Sequence, residues 1–251
     1  VFALDFKQDA TQFATGGKDT VVRIYDEQTK QCLVSMERGQ GYGPMASTGH
    51  SNRVFSVKFH PGDPNVVLSG GWDNTVLVWD ARTGTSVRSI YGPHLCGDSL
   101  DIQGDVVLTG SHRSGPTALQ TWDYGSGELV ADVKWFDNEN NDPTMLYAAQ
   151  FKGGATYQDA PRFIASGGSG GSTGNEARVF DCSSGNACVG FVGGMSRGIY
   201  AVDWSPTDDT LACAGGDASI RILKVKEKKM LGVERGVENM GLGTKENNAM
   251  N

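Results

Sequence analysis

Few side chains in this sequence are placed to do chemistry. There are four histidines, His50, His60, His94 and His112. None stands three or four residues from another, so no helix face could pair them on zinc, and no His-Glu-x-x-His run exists. His94 and Cys96 lie two apart and offer one pair of metal donors; packing within a loop is the expected reading. The five cysteines, Cys32, Cys96, Cys182, Cys188 and Cys213, are odd in number and contain no Cys-x-x-Cys. That argues against a disulfide framework or zinc site and for a reducing compartment. Gly167-Gly168-Ser169-Gly170-Gly171 matches the Gly-x-Ser-x-Gly of a nucleophile elbow, but an elbow needs a helix after the serine. Here Ser172-Thr173-Gly174-Asn175 leads into another strand. The run also lacks the Gly-Lys-Ser/Thr ending of a phosphate loop. A glycine-rich loop between strands is the expectation. Asp208-Asp209 follows Pro206 as a turn former. Asp137, Glu139 and Asp142 lie in a polar insertion without the spacing of an EF-hand calcium loop. No catalytic residue, metal site, cofactor or small-molecule substrate is therefore assigned.

The elements that position these residues form a repeat. An alternating apolar strand is followed by a strand ending in small residues and glycine, then a turn, then a strand ending in aromatic-Asp. The units run VFALDF, QFATGGKD, TVVRIYD from Val1, and VFSVKF, VVLSGGWD, TVLVWD from Val54. DSLDIQ, VVLTGS, ALQTWD is weaker; LYAAQF, RFIASGGS, EARVFD and IYAVDW, TLACAGGD, SIRILKV complete the set. A fourth strand follows each triplet: Cys32–Met36, Ser86–Tyr91, Glu128–Trp135, Ala187–Val192 and Met230–Arg235. The opening strands recur every 43 to 53 residues, which fits a four-stranded unit of ~40–45 residues with loop insertions. Insertions are expected at 39–47 and 138–143. No stretch carries the three-to-four-residue apolar period of a helix over a dozen positions.

Composition narrows the function classes. The 251 residues carry a net charge of −7, without the basic stripe of a nucleic-acid binder. Lys224, Lys226, Lys228 and Lys229 read as a solvated strand edge. The 35 glycines are roughly twice average usage and fit many tight turns. No apolar run reaches the ~18 residues a membrane helix needs, and no signal peptide is visible, although the sequence opens on Val1.

Strand-Gly-Gly-x-Asp-strand-Trp-Asp, preceded by Gly-His, resembles the WD40 family of β-propellers. The second unit has the whole signature: Gly49-His50, Ser69-Gly70-Gly71-Trp72-Asp73 and Trp79-Asp80. The resemblance covers about Val1 to Lys226. It implies an all-β propeller with five four-stranded blades, at about 1–49, 50–93, 94–143, 144–194 and 195–235, before a flexible tail at 236–251. The family usually closes with seven blades, so about two more are expected before Val1 or in another chain; a closed ring of five is the alternative. The resemblance also implies a buried hydrogen-bonded set of His50, Ser69, Asp73 and Trp79. The other units depart from it: Thr15, Asp19 and Tyr25 in the first, Thr109 and Trp122 with His94 displaced in the third, Ser166 and Phe180 in the fourth, Ala214, Asp217 and Leu223 in the fifth.

Family members commonly dock partners on the face carrying the loop before the inner strand and the turn before the Asp. The matching positions here are Lys18, Arg53, Trp72, His112, Arg113 and Arg197. Trp and Arg are the residue types that most often dominate interface energies; for Trp72 the competing reading is stacking on its own blade. Phe2, Phe55, Tyr147 and Tyr200 repeat at one position and are expected to pack an inner core. His60, before Pro61-Gly62, is expected to be exposed. By analogy with the family, the expected function is a non-catalytic scaffold binding other proteins of a larger assembly, with no nucleic acid and no membrane. A cytoplasmic address, with a cytoskeletal or ciliary assembly as the finer guess, goes with it. The alternatives are a reader of a peptide or modified tail and, further off, a hydrolase using the central channel.

Overall fold

The computed structural model describes residues 1–39, 49–113, 117–135, 144–153, 156–170, 174–226 and the backbone of 236–239. Five four-stranded antiparallel meanders follow one another along the chain. The first comprises β1 (Ala3–Phe6), β2 (Gln12–Gly16), β3 (Val22–Asp26) and β4 (Cys32–Met36). The second comprises β5 (Val54–Phe59), β6 (Val66–Gly71), β7 (Thr75–Asp80) and β8 (Thr85–Tyr91). The third comprises β9 (Leu100–Gln103), β10 (Val106–Gly110), β11 (Leu119–Asp123) and β12 (Leu129–Val133). The fourth comprises β13 (Thr144–Lys152), β14 (Phe163–Gly170), β15 (Asn175–Asp181) and β16 (Ala187–Met195). The fifth comprises β17 (Ile199–Trp204), β18 (Thr210–Gly215), β19 (Ile220–Lys226) and β20 (Gly236–Asn239). Among the described residues the helical content is one 3-10 turn, Cys182–Ser184, and no helix is long and apolar enough to cross a membrane.

Strand alternation explains the layering. Successive side chains point to opposite faces of a sheet, and both faces of each middle sheet meet a neighbour. One apolar cluster fills each joint: Ala14, Ile24 and Met36 against Val57, Phe59 and Trp79 between the first two sheets, and Leu68, Val78 and Ile90 against Leu100, Ile102 and Trp122 at the next. Leu108, Leu119 and Trp135 meet Phe151, Ile164 and Phe180 at the third joint, and Ala165, Val179 and Met195 meet Val202, Trp204 and Leu223 at the fourth. Val57, Leu100, Ala149 and Val202 share one register position and are all buried, whereas the matching Leu4 of the first sheet is 54% exposed.

Two joints carry a polar clasp as well. Asp5 accepts the Phe59 N–H at 2.7 Å, and Asp101, at the same position two sheets on, accepts the Phe151 N–H at 2.8 Å. Lys58 stands at that position in the second sheet. It reaches forward instead, with Nζ 3.2 Å from Asp98 Oδ1.

Three expectations change here. The glycine run at 167–170 belongs to strand β14 rather than a loop. A Cβ on Gly167 would stand 2.6 Å from Ile199 Cγ2, and one on Gly168 would run into the Met145 carbonyl. Glycine is therefore required by close packing, not by a turn. The fourth strand of the last sheet is Gly236–Asn239, paired with β19, rather than Met230–Arg235. It lies past the expected boundary at 235, inside the segment read as a tail; residues 240–251 are outside the described set. So are Asp137, Glu139 and Asp142 and, apart from Gly39, both expected insertions.

Candidate functional site

The second sheet holds the most complete polar constellation. Asp73, in the tight turn after β6, receives the His50 ring from the segment before β5: Nδ1 lies 2.7 Å from Asp73 Oδ2. His50 Nε2 lies 2.7 Å from Ser69 Oγ, and Trp79 Nε1–H donates to the same oxygen at 2.7 Å. Burial pushes the Asp73 carboxyl up, but the His50 hydrogen bond and charge, with the N–H groups of Ser51 and Thr75, hold it below its usual value. In the neutral ring an ionised Asp73 fixes the proton on Nδ1. Nε2 is then the acceptor, and Ser69 O–H donates to it. The order runs Trp79 N–H to Ser69, Ser69 O–H to His50, and His50 N–H to Asp73.

Serine, histidine and aspartate in that order form the relay of a hydrolytic nucleophile. This set cannot act as one. Ser69 has 0% of its surface exposed, and its oxygen already accepts from Trp79. The constellation satisfies buried polar groups and ties the chain entering the second sheet to two of its strands.

Register identifies the corresponding positions elsewhere. Thr15, Ser69, Thr109, Ser166 and Cys213 occupy one site in the five sheets. In the fifth sheet the residue is thus Cys213, not Ala214; burial pushes its thiol up. Thr109 accepts Trp122 Nε1–H at 2.8 Å, and Ser166 donates to the Ala148 carbonyl at 2.8 Å. Asp19 pairs instead with Arg23 at 2.5 Å, and Tyr25 stacks on Phe13 at 5.1 Å. His94 bridges two sheets: its Nδ1 meets Asn74 Oδ1 of the second at 2.8 Å, while its N–H donates to Ser111 Oγ at 3.1 Å and its carbonyl accepts the His112 N–H at 2.7 Å in the third.

The turn end of the sheets gathers the other residues singled out above. Trp72 is half-buried. It packs against Phe55 at 5.0 Å and stacks on His94 at 5.9 Å, and the Arg53 guanidinium lies 5.2 Å from its ring centre. Arg113 is exposed and donates Nη2–H to Asn74 Oδ1 at 2.6 Å. Half-buried His112 packs on Tyr147 at 4.4 Å, and Tyr147 meets Tyr200 edge-on at 4.9 Å. Lys18 and Arg197 are exposed on neighbouring turns. The aromatic repeat is not an inner core. Phe2, stacked on Phe55 at 4.9 Å, is 48% exposed and Tyr200 is 50% exposed, so these rings form a surface strip. Burial pushes the Cys96 thiol up against a hydrogen bond from Trp72, and buried His112 Nδ1 has no hydrogen-bond partner in this strip.

His60 also differs from expectation. It is half-buried, its Nδ1 accepts the N–H groups of Gly62 and Asp63 at 3.0 Å, and its ring meets Tyr124 at 5.0 Å. Burial holds it below the ordinary histidine value. One network had a single sequence signal. Buried Glu176 accepts from Trp135 Nε1 at 2.8 Å and from Arg178 Nε at 2.7 Å. Only the isolated Glu within an apolar strand hinted at it. Among the described residues no group of three or more His, Cys, Asp or Glu side chains could hold a metal ion.

Comparison with known proteins agrees with this geometry. The family profile described as "WD domain, G-beta repeat" matches residues 1–26, 43–80 and 186–223. The last match runs from the outer strand of the fourth sheet through three strands of the fifth. "Nuclear distribution protein PAC1" of Komagataella phaffii is 32% identical over 108 residues, 42% of this chain and 20% of that protein. "WD repeat-containing protein slp1" of Schizosaccharomyces pombe is 25% identical over 151 residues, 59% of this chain and 28% of that protein. "WD repeat-containing protein 91" of Bos taurus is 26% identical over 227 residues, 90% of this chain and 24% of that protein. The matches thus span between a fifth and just over a quarter of these relatives' lengths.

Proposed function

The chain belongs to the WD40-repeat family of β-propellers, and from that premise we propose that it is a non-catalytic scaffold whose turn face docks other proteins. The observation that carries the reading is the aromatic strip. Half-exposed rings that touch across sheets, rimmed by Lys18, Arg53, Arg113 and Arg197, are the composition of a protein-binding surface rather than of solvated loops. The polar groups that resemble catalytic machinery, Ser69, His50 and Asp73, are consumed in holding the second blade together. The reading includes the exposed Leu4 face being covered by another sheet in the assembled disc, because it has the register of four buried joints. A cytoplasmic assembly, cytoskeletal or ciliary, is the finer part of this proposal.

The test is affinity capture with mass spectrometry on three forms of the protein. One is unaltered, one carries Lys18→Glu with Arg197→Glu, and one carries Lys30→Glu with Arg82→Glu at the opposite end of the strands. Partners that thin only in the first variant support the reading. Equal thinning in both variants, or in neither, refutes it.

A second reading, a reader of peptide tails, draws on the same strip, since Tyr147 and Tyr200 meet edge-on as two walls of an aromatic cage would. A lysine-methylated peptide that binds more tightly than its unmodified form would favour it.

A further inference from the structure

The cations of this molecule divide into two groups. Lys7, Arg23, Lys30, Lys58, Arg82, Arg162, Arg178 and Lys224 each pair with a carboxylate. Among the described residues the others have no carboxylate; Arg88, Lys152 and Arg221 reach backbone carbonyls instead. Arg53 and Arg113 differ from these in what holds them: the Arg53 guanidinium lies 5.2 Å from the Trp72 ring centre, and Arg113 donates to the neutral amide oxygen of Asn74. On a chain of net charge −7 they bring two guanidiniums without a carboxylate to one turn. Asp73, in that turn, faces inward onto His50 and Ser51.

Four contacts join the two arginines in one run: Arg53 to Trp72, Trp72 to His94, His94 to Asn74, and Asn74 to Arg113. From this run we infer that the turn face of the second and third blades recognises an acidic segment of a protein partner, with Arg53 and Arg113 each taking one of its carboxylates. The inference rests on the scaffold reading and names the chemistry of the partner.

The physical case has two parts. A guanidinium over an indole keeps its N–H donors in its own plane, where a carboxylate can accept two of them. Trp72 and Asn74 already hold the two heads in place, so little side-chain freedom is lost on binding. His94 reports the local field: burial, together with the charges of Arg113 and His112, holds it below its ordinary value against the charge of Asp73.

The test is fluorescence anisotropy with a labelled peptide of alternating Glu and Gly, beside a Lys-Gly peptide and a single-stranded oligonucleotide. The Glu peptide alone is expected to bind, more weakly as salt rises. Arg53→Ala with Arg113→Ala should weaken it by on the order of tenfold or more, while Arg82→Ala leaves it unchanged. Arg53→Lys with Arg113→Lys keeps the charge and loses the fork; it should fall between, with an unaltered melting curve. The His94 ring should take up a proton at higher pH once the peptide is bound. No binding, binding indifferent to these variants, or preference for the oligonucleotide overturns the inference. If the capture experiment still finds partners on the turn face after such a result, the scaffold reading stands and only the acidic partner is lost.

Discussion

Replacing Ser69 by Ala removes a single oxygen and unpairs two buried groups. Trp79 Nε1 loses its acceptor and His50 Nε2 loses its donor. Neither can turn to water, since both rings are buried at 0–2% exposure. His50 cannot escape by changing tautomer, because Asp73 holds the proton on Nδ1. A stranded buried polar group costs about 1–3 kcal/mol, so the pair costs roughly 2–5 kcal/mol, a large share of the ~5–15 kcal/mol that stabilises a typical domain. Urea unfolding monitored by tryptophan fluorescence measures the loss. Trp79→Phe provides the control, since it deletes the N–H and leaves only His50 stranded by Ser69→Ala. The double variant should therefore lose less than the two single losses added together. Thr109→Val, which strands Trp122 alone, should cost about half as much as Ser69→Ala. A loss for Ser69→Ala below ~0.5 kcal/mol, or strict additivity with Trp79→Phe, would refute the network as a stabilising unit.

Three other predictions follow from groups off the turn face. Burial raises the Asp101 carboxyl to about 6, against the charge of Lys58 and the N–H groups of Phe151 and Ile102. The folded protein thus holds that proton more tightly than the unfolded chain, and the associated stability, at most on the order of 2–3 kcal/mol, is present below pH ~4 and lost as pH rises through 6. Asp101→Asn should flatten this part of the pH–stability curve, measured by denaturation at a series of pH values; an unchanged curve would count against it. His60 has the opposite sign: its pKa is lowered, so its contribution is present above the unfolded value and lost as pH falls below it. Gly62 and Asp63 amides should lose hydrogen-exchange protection, relative to their intrinsic rates, between pH 7 and pH 5, and His60→Phe should reproduce the loss at pH 7. Glu176→Ala leaves the largely buried Arg178 head without that carboxylate and Trp135 without its acceptor, for an expected loss of about 3–5 kcal/mol. A melting point within a degree or two of the parent's would show that pair to be dispensable.

What was legible in the sequence was local. Gly-Gly-x-Asp followed by Trp-Asp is set by contacts within one sheet, so the family resemblance it carries places Ser69, Asp73 and Trp79 together, and the strand alternation marks the five meanders except for the last strand of the fifth. What escaped depends on neighbours far along the chain. Asp5 and Asp101 read as ordinary strand residues because their partners, Phe59 and Phe151, belong to the next sheet. Glu176 escaped because Trp135 comes from the preceding sheet. His94 reads as a displaced member of the third unit, and its backbone does bond to Ser111 and His112 there, but its ring turns back to Asn74 of the second. The glycines at 167–170 were taken for a loop, since a residue kept small by a facing strand looks in sequence like one kept small by a turn. The turn-face cations were findable by position. The contacts that hold Arg53 on Trp72 and Arg113 on Asn74, the latter between two sheets, have no signal in spacing.

The clasps of Asp5 and Asp101 make the joints unequal. They join the first blade to the second and the third to the fourth through a carboxylate on a backbone N–H, whereas the second reaches the third through two long side chains, Lys58 at Asp98 and Arg88 at the Tyr124 carbonyl. The joints therefore answer to different chemistry. Salt competes directly with the Lys58 contact to half-exposed Asp98, and it reaches the two carboxylates held by backbone N–H groups less. Ionic strength thus acts first on the joint beside Trp72, His94 and Arg113.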